Sequence, residues 1–148
     1  MTGRPADWIE LAVPPTPEYL QLVRAVVGAA AGSSAGAVPC LDPGRVADLR
    51  LVVSEAVTNA IEAQGSVGVP DRILIRCRVE FDHVVVEVAD RGPGFDPDAV
   101  ADLPDVETPE RLRHESGLGV ALMQRLADGA AVESGPDGTT VRLTIRPG

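Results

Sequence analysis

The stretch Leu49–Gln64, LRLVVSEAVTNAIEAQ, decides the fold of this 148-residue chain. Its apolar residues recur at the i, i+3, i+4, i+7 spacing of a helix with one buried stripe. Glu55 and Asn59 stand four residues apart on the flank of that stripe, so they lie one above the other. The pattern predicts a helix that packs on a sheet. It leaves open whether the two polar side chains face a ligand or only mark the border of the core.

The composition is that of a globular protein with an aliphatic core, since 45% of the residues are hydrophobic and only 3% are aromatic. A single domain covering residues 1–148 is expected at this length. The net charge of -9 argues against direct contact with the phosphate backbone of a nucleic acid, and is better matched to a basic protein surface. No membrane span is expected, because the longest apolar run, 23–31, is short and contains Arg24.

Lysine is absent, and all 13 basic residues are arginines. This excludes a GxxxxGK[ST] phosphate loop, the strand lysine of the protein-kinase fold and a lysine Schiff base. The 2 cysteines, Cys40 and Cys77, are too far apart for CxxC chemistry. Free thiols suit a reducing compartment, so a cytoplasmic protein is expected.

The other segments predict strands that come in adjacent pairs. Strands are expected at 8–13, 72–79, 83–89, 130–134 and 139–146, and helices from 17, from 42 to about 64, and from 117 to about 128. Thr16 should cap the first helix, the Ala/Gly/Ser-rich segment 28–38 should be a loop or fraying helix end, and Gly65 with Gly68 should stop the central helix. Hairpin-linked strands with helices on one face describe an α+β fold, a two-layer α/β sandwich with a mixed, mostly antiparallel sheet.

Asp90 ends one of these strands and is followed by Gly92 and Gly94. Glycines let the backbone approach a ligand closely, and a strand-end aspartate can accept a hydrogen bond from an exocyclic amine. A plain tight turn explains the same residues. A calcium loop does not, because glycines stand where oxygen ligands belong.

Two glycine-containing stretches follow. Ser116-Gly117-Leu118-Gly119 opens a predicted helix, whose free N–H groups favour an anion, although a glycine-containing helix cap explains it equally. Arg111 and Arg113 upstream could reach a terminal phosphate or simply be solvated. Gly138-Thr139 precedes the last strand and is the weakest signal of the set.

Together, in this order and spacing, these pieces resemble the GHKL ATPase superfamily and, within it, the bacterial anti-sigma-factor serine/threonine kinases. The resemblance covers nearly the whole chain. Ser54–Ala60 is similar to the family's N box, Asp90-x-Gly92-x-Gly94 and Ser116–Gly119 to its two glycine boxes, Gly138-Thr139 to its closing Gly-Thr, and residues 96–116 to its ATP lid.

The resemblance implies the Bergerat ATP-binding fold, with ATP and Mg²⁺ as cofactors. Asn59 would coordinate Mg²⁺, Asp90 would bind the adenine amine with Thr139 nearby, and Glu55 would be the base that deprotonates the attacking hydroxyl. The remaining nucleotide-lining residues would be Gly92, Gly94, Ser116, Gly117, Leu118 and Gly119.

The implied partners are a sigma factor and a STAS-domain anti-sigma-factor antagonist carrying the acceptor Ser or Thr, with the chain itself a homodimer. Ala63 stands where the family often has a histidine, and Glu115-Ser116 where it often has Gly-Arg. An alternative is therefore an ATP-binding partner-switching module without phosphotransfer. A two-component histidine kinase is a third interpretation, because His114-Glu115 is similar to a phospho-acceptor site, but no long helical hairpin surrounds it.

Overall fold

Two helices pack on one face of an antiparallel sheet in this computed structural model, which describes residues 8–32, 41–80, 82–93 and 123–147. The strands are β1 Ile9–Val13, β2 Ile73–Val79, β3 Val84–Asp90, β4 Gly129–Gly135 and β5 Gly138–Ile145. The helices are α1 Leu20–Gly32 and α2 Pro43–Val67, with a short 3-10 turn at Pro17–Tyr19 and a helical stretch at 123–126. The α+β prediction is confirmed.

The sheet has the strand order β1-β2-β3-β5-β4, so β1 is an edge strand and the two predicted hairpins lie side by side. Each of the four pairings is antiparallel, and the described part of the sheet is therefore antiparallel rather than mixed. Alternate residues point toward the helices, as in the row Ile75, Val88 and Val141. This row and its neighbours form the core with α1 and α2.

Helix α2 begins and ends with clear sequence signals. Asp42 caps it through Oδ1, which accepts from the Arg45 N–H at 2.8 Å, and Pro43 occupies the first turn. Gly68, at φ 68°, ends it in the left-handed conformation that favours glycine. The prediction that Gly65 stops the helix is wrong, because α2 passes through Gly65 to Val67.

Helix α1 differs from its prediction at its start. Thr16 precedes the 3-10 turn, but its buried hydroxyl has no hydrogen-bond partner and does not cap. Residues 28–32 are helical, which fits the predicted helix end and not the predicted loop, and Gly28 is buried there. A Cβ on Gly28 would meet only the guanidinium end of the exposed Arg50 side chain, which can move aside. Residues 33–38 of the expected loop lie outside the described residues.

Among the described residues, the other face of the sheet carries a polar and aromatic cluster and no helix. The guanidinium groups of Arg76 and Arg78 lie 4.4 and 4.5 Å from the centre of the Trp8 ring. Arg76 also pairs with Glu10 at 3.2 Å and Glu87 at 3.3 Å. Trp8, just before β1, and Glu10 within it share this side of the sheet. No helix in the described ranges is long and apolar enough to cross a membrane.

Candidate functional site

Glu55, Asn59 and Ala63 form one stripe along α2, because each lies four residues after the last. Each step along the helix axis is about 6 Å. Glu55 and Asn59 are half-buried. Ala63 packs against the segment after β3, since a Cβ built on Gly92 would lie 2.8 Å from the Ala63 Cβ. The stripe therefore runs from Glu55 to the Asp90–Gly92 turn.

Asp90 is the last residue of β3 and pairs in register with Thr139. Val88, two residues earlier, is buried against the helices, so the Asp90 side chain leaves the sheet on the same side. Its Oδ1 accepts from the Gly92 N–H at 2.8 Å. Burial raises the pKa of the Asp90 carboxyl, and the backbone N–H groups of Gly92 and Thr139 oppose that rise.

Thr139 is 6% exposed, and its hydroxyl lies 2.7 Å from that of Ser134. Gly138 has φ 142°, and a Cβ there would overlap the carbonyl oxygen of Asp90. The glycine thus lets β5 start against the end of β3. The Gly138-Thr139 pair, the weakest of the sequence signals, directly supports Asp90.

Gln64 is a site residue that the sequence reasoning missed. It is 0% exposed, and its Oε1 accepts from the Arg91 N–H at 2.8 Å. Its Nε2 donates to the carbonyls of Asp71 at 2.6 Å and Val69 at 3.3 Å. The signal was present, because Gln64 follows Ala60 by four residues and so falls on the buried stripe of α2.

The other predicted site residues lie outside the described residues, and their geometry is not described: Gly94, Ser116, Gly117, Leu118 and Gly119. The predicted lid, 96–116, and His114 lie there too. The structure brings the base-binding candidates Asp90, Gly92 and Thr139 together, and joins them to α2 through Ala63 and Gln64. Within the described ranges, no three His, Cys, Asp or Glu side chains form a metal cluster.

A cavity of about 490 Å³ lies at the same end of the sheet. Leu74, Ala89 and Thr140 line it, and all three belong to the face that the helices leave uncovered. Asp90, Gly138 and Thr139 also line the cavity, so it reaches the end of β3, whereas Asn59 and Gln64 do not line it. Arg72, Arg91 and Asp137 make its rim charged.

The donor set beside α2 fits a nucleotide with a divalent ion. Asp90 offers a carboxylate whose Oδ1 is fixed by the Gly92 N–H, as an amine-accepting group requires. Gly92 has no side chain between Asp90 and α2, and this lets the turn pack directly on Ala63. Asn59 supplies an amide oxygen, a ligand type that Mg²⁺ accepts, and Glu55 a carboxylate that can receive a proton, both on the half-buried edge of α2.

Comparison with known proteins gives the class. Residues 13–145 match the family model described as the histidine kinase-like ATPase domain. The serine-protein kinase RsbW of Bacillus subtilis is 33% identical over 142 residues, which cover 94% of this chain and 85% of RsbW. The anti-sigma F factor of Caldanaerobacter subterraneus is 38% identical over 110 residues, which cover 70% of this chain and 73% of that factor.

Two solved structures share the fold. The RsbU and RsbW domains of a Mycobacterium tuberculosis protein align with a TM-score of 0.66 and 22% identity, covering 94% of this chain and 32% of that one. A histidine kinase domain from Erythrobacter litoralis aligns with a TM-score of 0.54 and 23% identity, covering 87% of this chain and 59% of that one.

The chain belongs to the histidine kinase-like ATPase family, the GHKL superfamily of ATP-using proteins. Within that family it is a protein serine/threonine kinase; the RsbW relatives that match nearly all of its length are named serine-protein kinases.

Proposed function

We propose that this chain is an anti-sigma factor that transfers the γ-phosphoryl group of ATP to a serine or threonine of a STAS-domain antagonist. The order of residues along one line of the molecule carries the proposal. Asp90 stands at the base-binding end. Asn59 lies one helical turn from Ala63, the residue that contacts Gly92, and Glu55 lies one turn further. This is the order of adenine, phosphates and acceptor hydroxyl in an extended nucleotide complex.

Asp90 accepts a hydrogen bond from the adenine amine at the end of β3. Asn59 holds Mg²⁺ through its side-chain oxygen, and the ion neutralises charge on the phosphates when bound. Gly94, Ser116, Gly117, Leu118 and Gly119 line the nucleotide. Phosphoryl transfer needs mainly positioning and charge neutralisation, which these groups supply without lysine.

Glu55 receives the proton in the transfer. The acceptor hydroxyl oxygen bonds to the γ-phosphorus, the bond from that phosphorus to the β,γ-bridging oxygen breaks, and ADP leaves. The hydroxyl proton passes to the Glu55 carboxylate. Ala63 lies two turns from Glu55 and supplies no imidazole, so the transfer proceeds without a histidine at that position.

The chain acts in the cytoplasm as a homodimer and switches between a sigma factor and the antagonist according to nucleotide and phosphorylation state. It contacts no nucleic acid directly, in keeping with its net charge of -9. The relative named anti-sigma F factor supports this partner class.

The test is the Glu55→Gln variant, assayed with labelled ATP, Mg²⁺ and STAS-domain proteins of the same genome. Transfer should fall about 100-fold or more, because general bases contribute about 10²–10⁴. The Kd for ATP should stay within about twofold, since Glu55 is two turns from the Gly92 contact. Glu62→Gln, an exposed position on the same helix, is the matched control and should keep parent rates.

Equal transfer by Glu55→Gln and the parent would remove Glu55 from the mechanism. A parent that binds ATP and a sigma factor, yet labels no STAS protein, would favour the second candidate function, a partner-switching ATP sensor without phosphotransfer. Ala63 is the observation that keeps this second candidate in view.

A further inference from the structure

Gln64 is a buried amide in a helix stripe that otherwise carries apolar side chains. Its three hydrogen bonds fix the orientation of the amide, because the Arg91 N–H can only donate and the Val69 and Asp71 carbonyls can only accept. The amide thus uses both hydrogens and its oxygen. A buried polar group satisfied to this degree holds its partners in one arrangement.

The partners of Gln64 belong to two separate segments. Val69 and Asp71 lie on the connection from α2 to β2, whereas Arg91 is the first residue after β3. Pairing between β3 and β5 ends at Asp90, so the Arg91 N–H is the first amide beyond the sheet. Gln64 accepts a hydrogen bond from that N–H at the point where the hydrogen bonds of the sheet end.

A continuous set of contacts links this bond to the Asp90 carboxylate. Arg91 is held by Gln64, Gly92 packs on the adjacent Ala63, and the Gly92 N–H donates to Asp90 Oδ1. The exposed Arg91–Asp71 ion pair, 3.5 Å long with side chains 69% and 49% exposed, adds little by comparison. The Thr139 N–H also holds the Asp90 carboxylate from β5, so the contacts that tie this carboxylate to α2 are those of Gln64 and Ala63.

We propose that Gln64 is a positioning residue for base recognition. Its amide, bonded to the Arg91 N–H, fixes where the Asp90 carboxylate lies relative to Asn59 and Glu55 on α2. The inference rests on the proposed adenine-binding role of Asp90. Gln64 touches no substrate and acts through the Asp90–Gly92 turn. Its loss changes the choice of base, beyond any loss of stability.

The experiment compares Mg²⁺–ATP with Mg²⁺–ITP, because the base of ITP lacks the amino group that would donate a hydrogen bond to Asp90. The parent should prefer ATP roughly tenfold or more, as expected for a hydrogen bond to a charged group. Gln64→Met keeps the side-chain length but removes the acceptor for Arg91. In this variant the Kd values for ATP and ITP should differ by no more than about threefold, mainly because ATP binds more weakly.

Two controls separate positioning from stability. Val27→Ala opens a cavity in the core of α1, away from the turn, and should lower the Tm while keeping the parent ATP:ITP ratio. Gln64→Glu keeps an acceptor for the Arg91 N–H but faces the Val69 and Asp71 carbonyls with a carboxylate. It should lower the Tm and still prefer ATP, with the Arg91 amide slow to exchange with deuterium.

A parent-like ATP:ITP ratio in Gln64→Met would overturn the inference and leave the proposed function standing. A parent that binds ATP and ITP equally would overturn the adenine role of Asp90, and the inference with it. If Gln64→Met does not fold, Gln64→Glu decides. A lost ATP preference with slow exchange at the Arg91 amide, or a kept preference with fast exchange, would then overturn the proposal.

Discussion

The Asp90 side chain is subject to two opposing effects. Half-burial disfavours its ionised form and raises its pKa, while the N–H groups of Gly92 and Thr139 stabilise the ionised form. A carboxyl whose pKa is higher in the folded state binds protons more tightly there than in the unfolded chain. Its contribution therefore favours folding at low pH and is lost as the pH rises through the folded-state pKa.

Asp90→Asn should consequently raise the Tm of the nucleotide-free protein at neutral pH, since the amide oxygen can still accept from the Gly92 N–H without a buried charge. The gain over the parent should shrink as the pH falls through the Asp90 pKa. ATP affinity should fall about tenfold or more. Thermal unfolding between about pH 4 and 8, with ATP titrations, checks both; a lower Tm at neutral pH would contradict the account.

Single residues differ in how far sequence alone could assign them. Asn59 and Asp90 could be singled out because residue type and local spacing carry the signal. Gln64 follows the stripe spacing too, but its partners at 69, 71 and 91 become neighbours only when α2, the following connection and β3 assemble. Thr16 fails for the converse reason, since a good local cap signal yields no hydrogen bond in the folded chain.

Arg45 connects three elements of the fold. From the first turn of α2 its guanidinium reaches Asp48 at 2.8 Å, Asp128 at 2.6 Å and the carbonyl of Arg146 at 2.9 Å. A longer bond of 3.2 Å reaches the Leu126 carbonyl. Asp128 also accepts from the Arg146 N–H at 2.6 Å, so the segment before β4 and the end of β5 are tied to α2 together.

Arg45→Met should lower the free energy of unfolding by about 2–3 kcal/mol, below the usual cost of breaking a fully buried pair because the Arg45 side chain is 18% exposed. The Tm should fall by roughly 5–10 °C. Arg24→Met, an exposed position on α1, is the matched control and should change the Tm little. Denaturant unfolding of both variants measures the difference, and equal stabilities would show that the Arg45 contacts contribute nothing net.

Element types could be predicted from periodicity, whereas some element ends could not. Residues 28–32 carry two glycines, and their composition predicts either a loop or a fraying helix end; α1 continues to Gly32 with Val27, Gly28 and Ala31 buried. Gly65 is tolerated within α2 because the helix has a better stop at Gly68, which alone takes a positive φ there. Tertiary contact overrides local preference in both cases.

Cys77 reports on the whole molecule because it lies in the core, 2% exposed, on β2. Burial raises the pKa of its thiol to about 11, so almost no reactive thiolate forms in the folded state at neutral pH. In a Cys40→Ser background, a thiol reagent should therefore react only when the sheet opens. Cys77→Ala in the same background is the control and should take up no label.

ATP with Mg²⁺ should slow this labelling, since a ligand of the folded state lowers the population of open chain by the factor 1 + [L]/Kd. At about 100 times the Kd, the rate should fall roughly a hundredfold. Rapid labelling of the folded protein would contradict the burial of Cys77. Labelling that ignores millimolar ATP would contradict the nucleotide site itself.

At the scale of the molecule, the two-layer architecture could be predicted because strand pairs joined by short turns leave one arrangement for the helices. The strand order could not, since it depends on β3 and β5 meeting across the 47 residues, 91–137, that separate them in the chain. The base-binding half of the site followed from the motifs, and the Ala63–Gly92 contact that joins it to α2 did not.

Trp8 is the only tryptophan of the chain, and it lies between two arginines on the face of the sheet that the helices do not cover. Its fluorescence consequently senses the opposite layer from Asp90 and Asn59. The intensity of Trp8 emission, excited at about 295 nm, should change little when nucleotide binds. It should change when another protein covers that face. The native chain thus carries its own optical means of telling the two events apart.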